Sequence, residues 1–269
     1  MKNAQNSALI TGGSSGIGLA FARELAAQKY DLVLVSRDEN LHEVADDLAR
    51  EFNVQVEAVE ADLSNSVDLE KVAERIRDAK KPVGMLINCA GFVLRDSVVH
   101  GDLKRQKAAF DVMAWAVLVL SQTAAGVMRE RNSGTIINIA STSAWFVNGN
   151  YSALKRWVVT YTQALSVELR GTGVHVTAVC PGETRTNFHA RGGISHSGTP
   201  KWLWCTPEQV ASQGLHASAK NKPIFVPTFK WRAIVWFLHH FQHVARNISR
   251  KMIIKRIAEV DAKNANKKS

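Results

Sequence analysis

With 269 residues, 46% of them apolar and 22% charged, the chain has the size and balance of one globular α/β domain with a C-terminal appendage, and a mainly disordered chain is excluded. The net charge of +10 is concentrated: residues 228 to 269 hold ten Lys/Arg against Glu259 and Asp261, which is +8, and leave +2 to the body. No nucleic-acid partner is expected, because no base-stacking or groove-reading element accompanies that basic tail.

Met1 to Leu9 is polar and lacks the basic start, apolar run and cleavage site of a signal peptide. The first strand follows at Ala8-Thr11. After it comes Thr11-Gly12-Gly13-Ser14-Ser15-Gly16-Ile17-Gly18 and then a helix predicted from about Leu19 to Gln28. Glycines in such a turn let the backbone approach a pyrophosphate, and the helix N-terminus offers it unpaired N–H groups and a positive dipole. Strand before and helix after make this a dinucleotide cradle.

The second strand, Leu32-Ser36, ends on Ser36-Arg37. A bare ribose is usually held by a carboxylate at this point. A hydroxyl and a guanidinium suit a 2′-phosphate instead, so the expected cofactor is NADP(H). The third strand, Val54-Val59, leads to Asp62-Leu63, where Asp62 can accept from the adenine amino group. The fourth, Val83-Asn88, leads to Asn88-Cys89-Ala90-Gly91. Ala90 and Gly91 are small enough for close approach to the cofactor, while Asn88 is read equally as a cofactor contact or a brace of the sheet.

Ser141 directly follows the fifth strand, Gly134-Ala140, and Tyr151-Ser152-Ala153-Leu154-Lys155 opens a helix running through Leu169. Tyr151 and Lys155, four apart, share a helical face. A tyrosine ordinarily titrates near pH ~10, and a neighbouring ammonium is expected to stabilise its phenolate. Ser141 would hold and polarise a substrate oxygen. The sixth strand, Val174-Cys180, runs into Pro181-Gly182 with Thr184 and Thr186 beyond.

From Thr184 to Pro223 a long loop with short helical pieces is expected. Phe188, His189, Trp202, Leu203 and Trp204, with Trp145 and Phe146, suggest either an apolar substrate pocket or a lid packed on the body. His189 is read as a lid surface residue. The seventh strand is Ile224-Val226. From Lys230 to Val260, Trp231, Ile234, Val235, Leu238, Phe241, Val244, Ala245, Ile248, Met252, Ile253 and Ile257 recur at helical spacing among Arg246, Arg250, Lys251, Lys255 and Arg256. Such a basic amphipathic helix suits an anionic membrane surface, or packing against the body or a partner subunit.

Apolar strands alternating with helical stretches indicate a doubly wound parallel sheet of seven strands with helices on both faces. Cys89, Cys180 and Cys205 are too widely spaced for a disulfide framework or zinc site, so reduced thiols, a cytoplasmic setting and no metal are expected. Residues 1–227 are read as the catalytic domain and 228–269 as the amphipathic extension.

The glycine-rich turn, Asn88 to Gly91, Ser141 before Tyr151 and Lys155, and Pro181-Gly182 with Thr186 occur in one order. In this the chain resembles the short-chain dehydrogenase/reductase superfamily from about Ser7 to Val226. The resemblance implies a Rossmann-type fold with strand order 3-2-1-4-5-6-7 and an NADP(H)-dependent oxidoreductase interconverting a carbonyl and a secondary alcohol. The pocket aromatics point to a lipophilic substrate, ketoacyl-, steroid- or retinoid-like. The resemblance further makes Tyr151 the general acid/base, Lys155 also a holder of the nicotinamide ribose, Ser141 the substrate-orienting residue, and Thr184 and Thr186 neighbours of the carboxamide. Pairing into a homodimer or tetramer through the helices after the fourth and fifth strands is implied as well. Two departures stand out. Met113 occupies the position of an asparagine that helps hold a proton-relay water, and a thioether cannot do this. Ser141 also lies only ten residues before Tyr151, which keeps Ser143 as a fallback. These departures carry the alternative reading, a catalytically weak dinucleotide-binding sensor or scaffold.

Overall fold

The structure, a computed structural model, describes residues 6–94, 96–186, 200–241, 243–244, 246–250 and 254. Seven strands form one sheet: β1 (Ser7–Thr11), β2 (Asp31–Ser36), β3 (Val56–Glu60), β4 (Met85–Asn88), β5 (Gly134–Ile139), β6 (Val174–Val179) and β7 (Ile224–Phe225). Their order is β3-β2-β1-β4-β5-β6-β7 and every pairing is parallel. The expected architecture is therefore the observed one.

Parallel strands need helical crossovers, which cover both faces of the sheet. The helices are α1 (Gly16–Ala27), α2 (Leu41–Phe52), α3 (Ser66–Arg77), α4 (Leu103–Phe110), α5 (Ala116–Glu130), α6 (Asn150–Glu168), α7 (Pro207–Ala219) and α8 (Phe229–His240). Side chains alternate along each strand, so Ile10, Leu34 and Ile87 join one core with α1, α2, α6 and α7, while Leu9, Val33 and Leu86 join the other with α3 and α5. The helical run Leu103–Glu130 is long and apolar enough to cross a membrane by length and composition. Its α5 part instead turns Leu120, Ala124 and Met128 into the second core.

Two expectations needed correction. The segment Thr184 to Pro223 is not only a loop: it contains the thirteen-residue α7. Thr206 accepts from the Gln209 backbone N–H, the Gln209 side chain reaches back to Thr206, and Pro207 stands at the first helical position. That signature was present in Thr206-Pro207-Glu208-Gln209 and is what sequence reasoning missed. The helix expected from Lys230 to Val260 also does not run unbroken. It stops at His240 with Phe241 as cap, and helical structure resumes at His243. No glycine or proline marks the break. Beyond it, Ser249 is buried and its Oγ accepts from Val147 N at 2.9 Å. Ala245, Lys251, Met252, Ile253, Lys255, Arg256, Ile257, Glu259 and Asp261 lie outside the described residues, as do Phe188 and His189.

Candidate active site

All the predicted site segments sit at the C-terminal ends of the strands, the edge where doubly wound sheets bind ligands. Gly12 and Gly16 have φ of 67° and 55°, a backbone that favours glycine. A Cβ on Gly18 would stand 2.1 Å from the Gly12 carbonyl oxygen, and one on Gly12 would stand 3.1 Å from Ala90 Cα. The cradle thus closes on itself and on the loop after β4, leaving backbone rather than side chain along its rim. Ser15 is the N-cap of α1 but makes no side-chain cap bond, so the hydroxyl and first-turn N–H groups suit a pyrophosphate, with Ile17 in that turn. Thr186 lies over the turn, its Cγ2 3.3 Å from where a Gly16 Cβ would be.

Ser14 is buried, with its Oγ 2.9 Å from Ser36 Oγ and 2.7 Å from Asp38 Oδ2. Arg37 is two-thirds exposed and donates from Nη1 to Asp62 Oδ2 at 3.1 Å. Partial burial works to raise the Asp62 carboxyl, but hydrogen bonds from the Ser64 hydroxyl and amide, with Arg37 alongside, outweigh it and hold the group below its ordinary value. Leu63 beside it is buried in the second core. Ser14 and Ser36 therefore meet beside the Asp38 carboxylate, and Arg37, next in the chain after Ser36, turns its guanidinium to Asp62.

Thr11 and Asn88 are likewise occupied with the protein itself. Thr11 Oγ1 accepts from Cys89 N and Ala90 N, each at 3.0 Å, tying β1 to the loop after β4. Asn88 Nδ2 donates to Ser121 Oγ and Asn138 Oδ1, and Asn138 passes the chain on to Thr162. The geometry gives Asn88 the bracing role among its two readings. Gly91 faces Met113 Sδ and Lys155 Nζ, at 3.3 and 4.0 Å from the place of a Cβ.

Tyr151 enters from the first turn of α6 and is half-buried. Of the groups acting on its hydroxyl, the Ser141 side chain is the one that holds the phenol down. Ser141 caps a short 3-10 turn at Thr142–Trp145, its Oγ accepting from Ser143 N at 3.0 Å. Lys155 is buried, donates to Ile139 O at 2.8 Å and stands 5.8 Å from the centre of the Tyr151 ring. Burial pulls Lys155 down to about 8. Burial also pushes the Tyr151 phenol above its ordinary value, helped by Glu183 and opposed by Ser141. Loss of solvent, rather than the Lys155 ammonium, is the largest influence on the phenol. Met113 is fully buried in a π-helical turn at Asp111–Trp115, a geometry the sequence did not signal. Cys89, Cys180 and Cys205 are free thiols, the first two pushed up to about 12 by burial.

Pro181 and Gly182 follow β6, and Thr184 Oγ1 donates to Gly182 O at 2.9 Å. A Cβ on Gly182 would meet the Trp231 indole at 2.1 Å, so α8 is seated against this turn, and Trp231 Nε1 donates to Leu203 O at 2.7 Å. Trp145 and Phe146, in the turn after Ser141, are half-buried, whereas Trp202 is exposed. Chemically, the arrangement offers a neutral phenol as proton donor and a hydroxyl to hold an oxygen, next to a cradle for a dinucleotide phosphate.

A family model described as short chain dehydrogenase matches residues 6–193. An uncharacterized oxidoreductase of Staphylococcus saprophyticus is 34% identical over 214 residues, 78% of this chain and 89% of that protein. A short-chain dehydrogenase from Sphingobium yanoikuyae, solved in complex with NADPH, superposes with a TM-score of 0.79 at 30% identity, covering 88% of this chain and 95% of the other. The bulky-bulky ketone specific alcohol dehydrogenase from Comamonas testosteroni gives 0.76 at 25% identity, covering 90% and 95%.

Proposed function

The chain belongs to the short-chain dehydrogenase family, and from that premise we propose that it reduces a bulky, lipophilic ketone to a secondary alcohol, with Tyr151 as the proton donor. It is an oxidoreductase acting on carbonyl and alcohol groups with NADP(H) as cofactor, the group held by the Sphingobium relative. The observation that carries the mechanism is the placement of buried Lys155 5.8 Å from the centre of the Tyr151 ring, with Ser141 acting on the same phenol, which supports a working catalyst over a sensor.

The residues fit the dinucleotide. The Gly12 to Gly18 turn and the first N–H groups of α1 take the pyrophosphate, Ser14, Ser36 and Arg37 take the 2′-phosphate, and Asp62 and Leu63 flank the adenine. Ala90 and Gly91 line the approach to the ribose, which Tyr151 and Lys155 hold. Pro181, Gly182, Thr184 and Thr186 border the nicotinamide. When bound, NADPH supplies the hydride that reaches the carbonyl carbon. Ser141 holds the carbonyl oxygen, and Tyr151, kept neutral by burial, gives that oxygen its proton. Tyr151 then recovers a proton from solvent, by a path on which Met113 contributes neither donor nor strong acceptor.

Trp145 and Phe146, in the turn after Ser141, support a bulky apolar substrate, as does the likeness to the Comamonas enzyme. Homo-oligomerisation accords with half-exposed Phe110 and Trp115 on the helical run before α5. The extension 228–269 is read as an appendage whose first helix is keyed to the body through Trp231. NADPH oxidation by the purified protein should be faster with ketones carrying two bulky substituents than with small aldehydes. Turnover confined to small polar carbonyls would reject the substrate class.

A further inference from the structure

The outward face of α8 mixes exposed aromatic rings with Lys230, Arg232, His239 and His240. Trp231, Val235 and Leu238 bury the inner face, which leaves Phe229, Ala233, Phe237 and Phe241, each four residues on from the last, in one exposed stripe, with Trp236 beside it. Phe229 is 76% and Trp236 61% exposed. Three exposed aromatic rings on one short helix are more than a solvated face normally carries. Between α8 and the returning segment at Ile248 lies a groove of about 420 Å³ lined by Phe146, Ala233, Ile234, Phe237, Leu238 and Ile248.

The chain segment that carries this face has charge of one sign. From residue 209 to 258 the sequence contains no Asp or Glu and nine Lys/Arg. Lys230, Arg232, Arg246 and Arg250 are exposed about the hairpin, and Lys230 lies over the exposed Trp202 ring at 5.2 Å. A second protein copy would meet that charge with its own like charge. An anionic bilayer complements both features, since aromatic rings enter the headgroup region and cations pair with lipid phosphates.

We propose that the hairpin of α8 and the segment around Arg246 to Arg250 docks this enzyme on an anionic membrane surface. The Val147–Ser249 hydrogen bond fixes the hairpin to the loop that follows Ser141, so docking brings that loop to the lipid. The surface does not depend on which ketone is reduced.

The test uses the full chain and sedimentation with vesicles of phosphatidylcholine alone or mixed with phosphatidylglycerol, at low and high salt. Binding is expected to the mixed vesicles and to weaken with salt. Both Trp236→Ser with Phe241→Ser and Arg246→Glu with Arg250→Glu should weaken it roughly tenfold or more. NADPH binding by each variant reports that the body is still folded. Absence of vesicle binding by the unmodified chain overturns the proposal. So does binding that the aromatic pair leaves unchanged, or a patch whose substitution alters only the oligomeric mass measured by light scattering.

Discussion

Burial acts on Lys155 and Tyr151 in opposite senses, lowering the first and raising the second, and in each disfavours the charged form. Lys155 falls to about 8, so its ammonium is present below that pH and lost above it, while the phenol stays protonated throughout the neutral range. For carbonyl reduction, kcat/KM of the free enzyme should therefore decline as pH rises through about 8. A profile that stays flat well above that pH would remove Lys155 from the mechanism. Arg37 is the other residue with a sharp consequence. It is exposed and bonded only weakly to Asp62, so Arg37→Asp should fold normally yet reverse the preference for NADPH over NADH, measured as the ratio of kcat/KM values. The identities of these residues were readable from their order along the chain. Their ionisation was not, because periodicity says nothing of how deeply α6 sets Tyr151 and Lys155 behind the sheet edge.

Among the elements, those with local signals were legible and those made by packing were not. Strands β1, β2 and β5 stand close to where their β-branched runs placed them, because parallel strands buried on both faces leave little freedom in sequence. α7 carried a local signal that went unread, the Thr206 to Gln209 capping box. Thr206→Ala should cost about 1 kcal/mol in a denaturant titration, and an unchanged midpoint would show that Pro207 and tertiary packing suffice. The break after His240 has no local signal at all, since His, Phe and Gln are tolerated in helices. Beyond it Ser249 meets Val147, a contact 102 residues apart in sequence. The π-helical turn around Met113 likewise depends on the neighbourhood of Gly91 and α6 rather than on its own residues.

Over the whole molecule, the sheet supplies one edge and the C-terminal chain closes it. Trp231 is where the two meet: it packs on Gly182, bonds to Leu203 and belongs to the main core. Trp231→Ala should lower unfolding stability by about 3–5 kcal/mol, read from denaturant melts, because a large buried ring would be replaced by a cavity. The strand order could be anticipated only from family likeness, since alternation of strand and helix does not fix which strands are neighbours. The division of labour across that edge, with the cradle binding the cofactor and α6 supplying the proton, is the central claim. Tyr151→Phe tests it most directly, with NADPH affinity and ketone reduction measured on the same preparation. Affinity should be nearly unchanged while kcat falls by about 10²–10⁴-fold, and a variant that reduces ketones at the full rate would contradict the account.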